Sequence, residues 1–391
     1  MTRKLRIGYV TTGSAQCVTN WSGLVKYIRS ALVDCGHELH DVDCITPAVP
    51  IKTRIRGWQA RFVFKKTYGY DRDVLLARSF AKQAERKLAG LRLDCIVAPR
   101  TYPVAMLETD LPVASWGDAT FHALMELYPG YAEISGDSIR QGHYLERRAI
   151  QKCRFLAYAS EWAANDAISF YQADPRKVAV IPFGANCPPP YSSLAEATAA
   201  IEAKPATPFK MLFVGAEWER KGGPLALSIQ AELRRRGIQS ELWIVGCNPF
   251  SGDAPPGVKC FGRLDKSKAS EMATWHNCYR NSHVFLMPTR AECFGVVFTE
   301  AASFGLPSVA TRVGGVPDAV ADQTSGFLFA PEDGLGPYCD LLEKLASDSA
   351  FLREMALGSY THYLSALNWR QSGKRFTEQL LELLYGHLGN C

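Results

Sequence analysis

Apolar and polar positions alternate in blocks along the first half of the chain. Short β-prone runs are bounded by polar residues or glycines, and segments with apolar residues at helical spacing lie between them. The segment "SGLVKYIRSALVDCG" is one such helix and ends on Gly36, a residue suited to a helix C-terminus. Strands that alternate with helices predict a parallel sheet with helices on both faces. The runs that predict strands are "LRIGYVTT", "HELHDVD", "DCIVAP", "PVASWGD", "FLAYAS" and "VAVIPFG".

The same alternation resumes after a proline-rich interruption. Residues 186–208 contain "CPPP" and "PATP", which predict a linker between domains. We therefore expect a first domain over residues 1–190, a linker over 191–207, a second domain over 208–365 and an amphipathic helix over 366–391 that packs back on the first domain. The later runs that predict strands are "FKMLFVGAE", "SELWIVG", "GVKCFGR", "HVFLMPT", "LPSVATR" and "SGFLFAP".

Two doubly wound α/β domains of this kind are predicted to face each other across a cleft. Ligands of such sheets bind outside the carboxyl ends of the strands. The candidate chemistry is therefore expected in the loops that follow the strands.

Composition and charge place the chain among globular proteins. Of its 391 residues, 47% are apolar and 21% are charged, and no apolar run approaches the ~18 residues of a membrane span. The apolar stretch after the basic start is too short for a signal peptide, so we expect a cytoplasmic protein. The 12 cysteines include no C-x-x-C pair, and we interpret them as scattered thiols rather than as disulfides or zinc ligands.

Two glutamates flank an apolar, glycine-bearing segment, "RAECFGVVFTEAASFGLP". Glu292 follows a predicted strand, and a helix that carries Glu300 is predicted to begin near Gly295. The N–H groups of residues 293–296 and the helix dipole would suit a phosphate, and the two carboxylates would accept hydrogen bonds from sugar hydroxyls. The alternative is that Glu292 caps the helix and that Glu300 pairs with a basic residue on the helix surface.

A second motif, "FVGAEWERKGGPLAL", joins a strand that ends at Gly215 to a helix that begins after Gly222. Arg220 and Lys221 stand at this join. Two cations beside a glycine-rich turn suit a diphosphate, and a solvated basic turn is the alternative.

The loop after the first strand is a weaker candidate. Ser22 and Gly23 precede a predicted helix and would face the cleft, but "TTGSAQ" lacks the G-x-G-x-x-G fingerprint of dinucleotide binding. Asp41 or Asp43 would be a ribose ligand in an NAD-dependent oxidoreductase. That function remains an alternative, and the missing fingerprint disfavours it.

Positive charge is concentrated in residues 52–92, which hold 12 Lys+Arg and 3 Asp+Glu. Aromatic residues such as Trp58, Phe62 and Phe64 lie among these cations. The mixture is typical of a surface that binds an anionic membrane, here peripherally at its inner face, or a phosphorylated acceptor. A nucleic-acid surface and a solvated face with aromatic packing are the alternatives, and we expect no nucleic-acid partner.

Together these motifs resemble glycosyltransferase family 4, the retaining nucleotide-sugar-dependent transferases of the GT-B superfold. The region "AECFGVVFTEAASFGLPSVATRVGGVPDAV" is similar to the family's E-x7-E segment and the Gly-Gly turn after it, and "MLFVGAEWERKGG" is similar to its lysine-glycine turn. The segments "WGDATFHALMELYP", "ASEWAANDAISFYQADPRKVAVIPFGAN" and "LNWRQSGKRF" resemble one bacterial branch. The resemblance covers nearly the whole chain and implies two Rossmann-like domains.

The resemblance implies a role for each matching position. Glu292 would hydrogen-bond the donor sugar, Glu300 would bind the ribose, and Lys221 would neutralise the leaving diphosphate. Ala216 stands where the family usually has an arginine, and Arg220 would replace that arginine. The other positions implied to bind the donor are Gly215, the amides of Phe294, Gly295 and Val296, and the loop of Gly262, Arg263 and Leu264 near the base.

In its N-terminal domain the family usually has a histidine near the donor sugar. The corresponding segment here offers Asp118, which we favour, and His122 four residues further on. The implied reaction moves a sugar, with retention, from a nucleoside-diphosphate donor to a hydroxyl of a glycan, lipid-linked sugar or small metabolite. It needs neither a cofactor nor a metal ion, because Lys221, Arg220 and the helix N-terminus supply the positive charge.

Other functions of the same superfold are alternatives. A nucleotide-sugar epimerase or a sugar phosphorylase would share the fold, although a phosphorylase with pyridoxal phosphate would need a much longer chain. A catalytically inactive binding module is disfavoured by the presence of Glu292, Glu300 and Lys221.

Overall fold

The computed structural model describes residues 3–18 and 20–386 and divides into two compact units. Unit 1 comprises residues 1–182 and 369–391, and unit 2 comprises residues 183–368. Within the described residues, no helix combines the length and the apolar character needed to cross a bilayer.

Unit 1 is built on a six-stranded parallel sheet. Its strands are β1 (Arg6–Val10), β2 (Glu38–Val42), β3 (Cys95–Ala98), β4 (Val113–Gly117), β5 (Phe155–Tyr158) and β6 (Val178–Val180). The strand order is β2-β1-β3-β4-β5-β6. Every residue of β3, β4 and β5 is buried, as expected for central strands covered by helices on both faces.

Helices connect these strands. They are α1 (Leu24–Asp34), α2 (Ile51–Phe62), α3 (Val74–Leu88), α4 (Phe121–Leu127), α5 (Gly136–Lys152) and α6 (Glu161–Ser169). The starts of several helices are fixed by side-chain caps: Asp73, Ser135 and Ser160 accept hydrogen bonds from backbone N–H groups of the first turns of α3, α5 and α6.

Unit 2 repeats the same architecture. Its strands are β7 (Phe209–Val214), β8 (Ser240–Val245), β9 (Val258–Gly262), β10 (Val284–Met287), β11 (Ser308–Thr311) and β12 (Gly326–Phe329), in the order β12-β11-β10-β7-β8-β9. Its helices are α7 (Leu194–Glu202), α8 (Gly223–Arg235), α9 (Ala269–Asn281), α10 (Val296–Ser303), α11 (Val316–Ala319), α12 (Leu335–Ser347) and α13 (Ser349–Ser365). The two parallel sheets confirm the predicted doubly wound α/β class.

The last described helix, α14 (Trp369–Tyr385), belongs to unit 1 although it follows unit 2 in the chain. Its Phe376 ring stacks on Trp116 of β4 with the ring centroids 4.7 Å apart. Gly373 lies directly against Ala31 of α1, where a Cβ would approach the Ala31 carbonyl oxygen to 3.0 Å. The helix predicted over residues 366–391 therefore begins at Trp369, and its residues 387–391 lie outside the described residues.

The residues predicted as a linker, 191–207, are folded into unit 2. They contain α7, which Ser193 caps, and Ile201 of this helix is buried. The boundary between the units lies between Pro182 and Phe183 rather than at residue 190. Prolines interrupt the strand–helix rhythm of the sequence here, but they do not prevent the residues between them from forming a capped and partly buried helix.

Candidate active site

A candidate site lies at the carboxyl ends of four neighbouring strands in unit 2. β8 and β9 lie on one side of β7, and β10 to β12 lie on its other side, so β7 and β10 flank the point where the winding reverses. Parallel sheets bind ligands at this switch point, outside the strand ends. Gly215 follows β7, Gly262 ends β9, and Glu292 lies in the loop after β10.

The loop after β10 leads into α10 through Gly295, which has a left-handed backbone with φ of 83°. A Cβ on Gly295 would lie 2.6 Å from the Phe298 ring and 3.0 Å from Cγ of Glu292, so a side chain here would collide with both. The absence of a side chain allows the Glu292 carboxylate and the first turn of α10 to lie together. The predicted grouping of Glu292, Phe294, Gly295 and Val296 around this N-terminus is therefore present.

Lys221 and Glu292 form a buried ion pair between the loops that follow β7 and β10. The Nζ of Lys221 donates to Oε2 of Glu292, and only 9% of Lys221 and 8% of Glu292 are exposed. The aliphatic part of Lys221 lies over Gly215, where a Cβ would approach Cγ of Lys221 to 2.9 Å. Gly222 packs directly against the Pro288 carbonyl, so the glycines allow the two loops to approach closely.

Arg220 holds the same two loops together. Its Nη1 donates to the carbonyl oxygen of Ala291 at 2.6 Å and lies 3.9 Å from Oε2 of Glu292. Its Nε and Nη2 donate to Glu217 at 3.0 and 2.7 Å, and this contact lowers the pKa of the Glu217 carboxyl. Ala216 carries no such group, so Arg220 is the guanidinium of this loop that reaches the loop after β10.

Glu300, one and a half turns into α10, is 3% exposed and has two polar partners. Its Oε1 accepts from Nζ of Lys266 at 2.5 Å, and its Oε2 accepts from the Tyr279 hydroxyl at 3.3 Å. Lys266 also lies 4.3 Å from the centroid of the Trp275 ring and donates to the Asn186 carbonyl oxygen at 3.4 Å. Glu300 is therefore a buried, oriented carboxylate rather than a surface charge.

Sequence reasoning missed Lys266 and Tyr279. Lys266 follows β9 by four residues, so a cation near a strand end was the available signal. Tyr279 reaches the site from α9, and nothing local to that helix marks the residue. Burial together with the negative charge of Glu300 raises the pKa of the Tyr279 hydroxyl, which remains a hydrogen-bond donor to Glu300.

The loop predicted to face the nucleobase of the donor begins at the end of β9. Gly262 has φ of 65° and open space around its Cα, while its carbonyl oxygen accepts from Gly246 after β8 at 2.7 Å. Arg263 is exposed, and Leu264 is partly buried. The loop therefore lies at the same sheet edge as Glu292, and its contact with a base stays a prediction.

The candidate residues of unit 1 fall into two groups. Asp118 directly follows β4, and its Oδ2 accepts from Nε1 of Trp21 at 3.0 Å. Trp21 precedes Ser22 and Gly23 in a tight turn with positive φ at all three residues. The structure thus brings the Asp118 and Ser22–Gly23 segments together through Trp21, and the Arg100 guanidinium covers the Trp21 ring at 4.1 Å.

His122 makes different contacts. Its Nδ1 lies 2.6 Å from Oδ1 of Asp166, and its ring stacks on Phe170 with the centroids 3.6 Å apart. Thr120, the cap of α4, donates to the other carboxylate oxygen of Asp166. Asp166 thus fixes the orientation of the His122 ring, while a role of either Asp118 or His122 in catalysis stays a prediction.

Comparison with known proteins finds a family similarity in the part of the chain that carries this site. Residues 208–348 match the family described as "Glycosyl transferases group 1". The matched segment runs from β7 to α12 and includes Lys221, Lys266, Glu292 and Glu300. The similarity to this family therefore lies within unit 2.

Two curated relatives illustrate the similarity. The D-inositol 3-phosphate glycosyltransferase of Corynebacterium diphtheriae is 29% identical over 258 residues, which are 62% of this chain and 58% of that protein. The protein of the same name from Segniliparus rotundus is 31% identical over 222 residues, 51% of this chain and 49% of that protein. The chain thus spans about half the length of the curated relatives it matches.

Solved structures extend the likeness of the fold to nearly the whole chain. A sucrose-phosphate synthase from Thermosynechococcus elongatus superposes with a TM-score of 0.72 and 16% identity, covering 97% of this chain and 99% of that one. An Anabaena protein solved in complex with UDP and glucose has a TM-score of 0.62 and 14% identity, covering 97% and 99%. The chain therefore shares the fold of these structures, the GT-B fold.

Proposed function

We propose that the chain is a retaining glycosyltransferase of the family 4 type, which moves a sugar from a nucleoside-diphosphate donor to an acceptor hydroxyl. The observation that carries this proposal is the pair of buried glutamates, Glu292 and Glu300, on either side of the N-terminus of α10 at the switch point of unit 2. Each glutamate has a lysine partner, Lys221 and Lys266 respectively.

This arrangement suits the parts of a nucleotide-sugar. The N-terminus of α10 offers backbone N–H groups and partial positive charge to a diphosphate, and Gly295 lets the ligand approach the backbone. Glu300 would accept hydrogen bonds from the ribose hydroxyls, and Glu292 from hydroxyls of the donor sugar. Lys221 binds Glu292, which lies beside the first turn of α10. The Nζ of Lys221 would therefore also be within reach of a leaving phosphate held at that helix N-terminus.

The proposed chemistry is a displacement at the anomeric carbon. The bond from this carbon to the diphosphate oxygen breaks, and negative charge develops on phosphate oxygens near Lys221 and the α10 N-terminus. The sugar becomes oxocarbenium-like, and the acceptor oxygen bonds to the same face, so the configuration is retained. The acceptor proton passes to the departing phosphate.

Metal independence is part of the proposal. The sequence contains Asp-x-Asp at 41–43 and at 71–73, but these carboxylates have partners within unit 1. Asp41 binds Arg29 at 2.7 Å, Asp43 accepts from the Ala15 N–H at 2.8 Å, and Asp73 caps α3. Positive charge for the leaving group would come from Lys221 and the helix N-terminus, and activity in excess EDTA would test this part.

The nucleotide and the acceptor are proposed only as classes. One structural neighbour was solved with UDP and glucose, and curated relatives are named for transfer to D-inositol 3-phosphate. We propose UDP, GDP or ADP as the leaving group, and a sugar, lipid-linked or small-molecule alcohol as the acceptor, bound by unit 1. We also propose that residues 52–92 contact an anionic membrane peripherally. Experiments on the donor do not test this contact.

A donor screen tests the proposal. The protein is incubated with UDP-, GDP- and ADP-sugars and an acceptor mixture, and products are followed by nucleoside-diphosphate release and mass spectrometry. The expected result is nucleoside-diphosphate release that needs one donor and an acceptor and that Glu292→Gln slows about 100-fold or more. Absence of turnover with every donor, together with hydride transfer from NADH, would instead support the oxidoreductase alternative.

A further inference from the structure

Helix α2 of unit 1 has an unusual distribution of side chains. Its buried positions are Thr53, Gly57 and Ala60, which are small. Its large apolar side chains face outward, with 76% of Ile51, 49% of Ile55, 58% of Trp58 and 61% of Phe62 exposed. A helix that only covers a protein core has the opposite distribution.

The exposed apolar residues form one stripe. Positions 51, 55, 58 and 62 recur at the spacing of a single helical face, and the Trp58 and Phe62 rings lie 5.7 Å apart. Val63 and Phe64, 58% and 66% exposed, continue the stripe beyond the helix end. An apolar surface of this kind on a protein marks an interaction site.

The inner face of α2 fixes the helix to unit 1. The Thr53 hydroxyl donates to Oδ1 of Asp73 at 2.8 Å, and Gly57 packs directly against the Tyr70 hydroxyl. Arg56 adds a contact to Oδ2 of Asp73 at 3.3 Å. The helix is therefore already formed and anchored, so a partner that binds the outer face need not order it first.

Within α2 and the residues that directly follow it, the charged side chains have a single sign. Residues 51–66 contain six Lys and Arg residues and no Asp or Glu. Arg56 and Lys66 pair with acids of unit 1, whereas the other four are exposed. Those four cations are Lys52, Arg54, Arg61 and Lys65.

We propose that the apolar stripe and these four cations form a membrane-docking surface, the α2 surface, whose partner is an anionic lipid bilayer. The stripe would lie at the boundary between headgroups and acyl chains, and the cations would meet lipid phosphates. The α2 surface comprises residues 51–65, so it takes in only the first part of the basic segment 52–92. Helix α3 lies outside the α2 surface because Phe80 is buried on its inner face and its exposed side chains Arg78, Lys82 and Arg86 are charged.

The experiment measures co-sedimentation of the full chain with two kinds of vesicle, phosphatidylcholine alone and phosphatidylcholine mixed with phosphatidylglycerol. Wild-type protein is expected to bind the mixed vesicles and not the neutral ones. The triple variant Arg54→Gln, Arg61→Gln, Lys65→Gln should bind about 100-fold more weakly, because each cation near an anionic surface contributes roughly fivefold. The control variant Arg78→Gln, Lys82→Gln, Arg86→Gln removes the same charge from α3 and should change binding by less than about threefold.

The apolar stripe is tested separately. Trp58→Ser, Phe62→Ser and Phe64→Ser together should weaken binding to mixed vesicles at least about tenfold, because these side chains would lose their burial in the bilayer. Phe64 lies beyond the end of α2, so the single variant Phe64→Ser leaves the helix unchanged. This variant tests the contribution of the stripe if the triple variant does not fold. Leu91→Ser, at another exposed apolar position of unit 1, is the matched control and should bind like wild type.

Three results would overturn the proposal. The first is failure of the wild-type chain to bind mixed vesicles. The second is an equal loss of binding in the α3 control, which would show general attraction of a basic protein. The third is a lipid-free dimer that the Trp58, Phe62 and Phe64 substitutions dissociate, because a second copy of the chain would then occupy the α2 surface. None of these measurements requires donor turnover, so they are independent of the proposed transferase activity.

Discussion

The Nζ of Lys266 lies 2.5 Å from Oε1 of Glu300, joining the loop after β9 to helix α10. Glu300 is almost fully buried, whereas 31% of the Lys266 side chain is exposed. A buried carboxylate that keeps its charge needs a partner of opposite charge, and Lys266 is the cation that the structure gives Glu300. Lys266 is therefore a positioning residue for the proposed ribose contact.

Lys266→Met is expected to weaken donor binding about tenfold, because Glu300 loses the group that holds and neutralises its carboxylate. The donor KM should rise more than kcat falls, since the proposed contact is made equally before and during the reaction. Lys268→Met is the control: Lys268 is an exposed neighbour that pairs with Glu271 at 2.9 Å, and its loss should be nearly neutral. Equal donor KM values for Lys266→Met and wild type would contradict this role.

Gly295→Ala tests the close packing at the start of α10. The new Cβ would collide with the Phe298 ring and with Glu292, so unit 2 should lose about 2–4 kcal/mol of unfolding free energy and donor turnover should fall sharply. Gly237 has nearly the same φ, 87°, with open space around it. Gly237→Ala should therefore lower the unfolding free energy only by the cost of a Cβ at positive φ, about 1–2 kcal/mol, and should leave turnover unchanged. Denaturant unfolding of both variants measures the difference.

Glu292→Gln preserves the shape of the side chain and removes its charge. If Glu292 contacts the reacting sugar, kcat should fall about 100-fold or more while the donor KM changes by less than about threefold. Steady-state kinetics on the donor identified by the screen would measure both constants. If kcat is unchanged in this variant, Glu292 has only a structural role, as the partner of Lys221.

His283 gives unit 2 a pH-dependent stability. Its Nδ1 accepts from the Lys210 N–H at 2.8 Å and its Nε2 lies 2.8 Å from the Pro205 carbonyl oxygen, an arrangement that fits the neutral ring with its proton on Nε2. Burial lowers the pKa of His283 to about 4. Because the folded pKa lies below the unfolded value, the stabilisation is fully present above about pH 6.5 and is lost as the pH falls towards 4.

The expected loss over this window is about 3 kcal/mol of unfolding free energy. His283→Asn keeps an acceptor for the Lys210 N–H and removes the titrating group, so its stability should vary less between about pH 7 and pH 4.5 than that of the wild-type chain. Denaturant titrations at the two pH values make the comparison. A variant with the wild-type pH dependence would assign the effect to another group.

The fold was predictable because its signal is local. Each strand of both sheets lies within one of the short runs predicted as strands from the sequence, and Gly295 marks the start of α10 directly in the sequence. The segment 191–207 was interpreted wrongly for a local reason as well, since the prolines around α7 hide a helix whose packing on unit 2 depends on tertiary contacts.

The site was only partly predictable, because some of its contacts join elements that are distant in the sequence. Glu292, Glu300 and Lys221 belong to recognisable motifs, but the Lys266–Glu300 pair depends on how the loop after β9 reaches across the sheet edge to α10. Likewise, cations and aromatics in residues 52–92 signalled an unusual surface, but not which side of α2 faces outward. That orientation follows from the packing of Gly57 against Tyr70.

The proposed nucleotide-sugar site is tested most directly by calorimetric titration of UDP, GDP and ADP into the wild-type chain and into Glu300→Gln, in excess EDTA, with NAD as a comparison ligand. At least one nucleoside diphosphate should bind the wild-type chain without metal, and NAD should not. Glu300→Gln should weaken binding by about 10- to 100-fold, the cost of losing a charged acceptor for the ribose hydroxyls. Binding of NAD but of no nucleoside diphosphate, or equal affinities of the wild-type chain and Glu300→Gln, would contradict the proposed site.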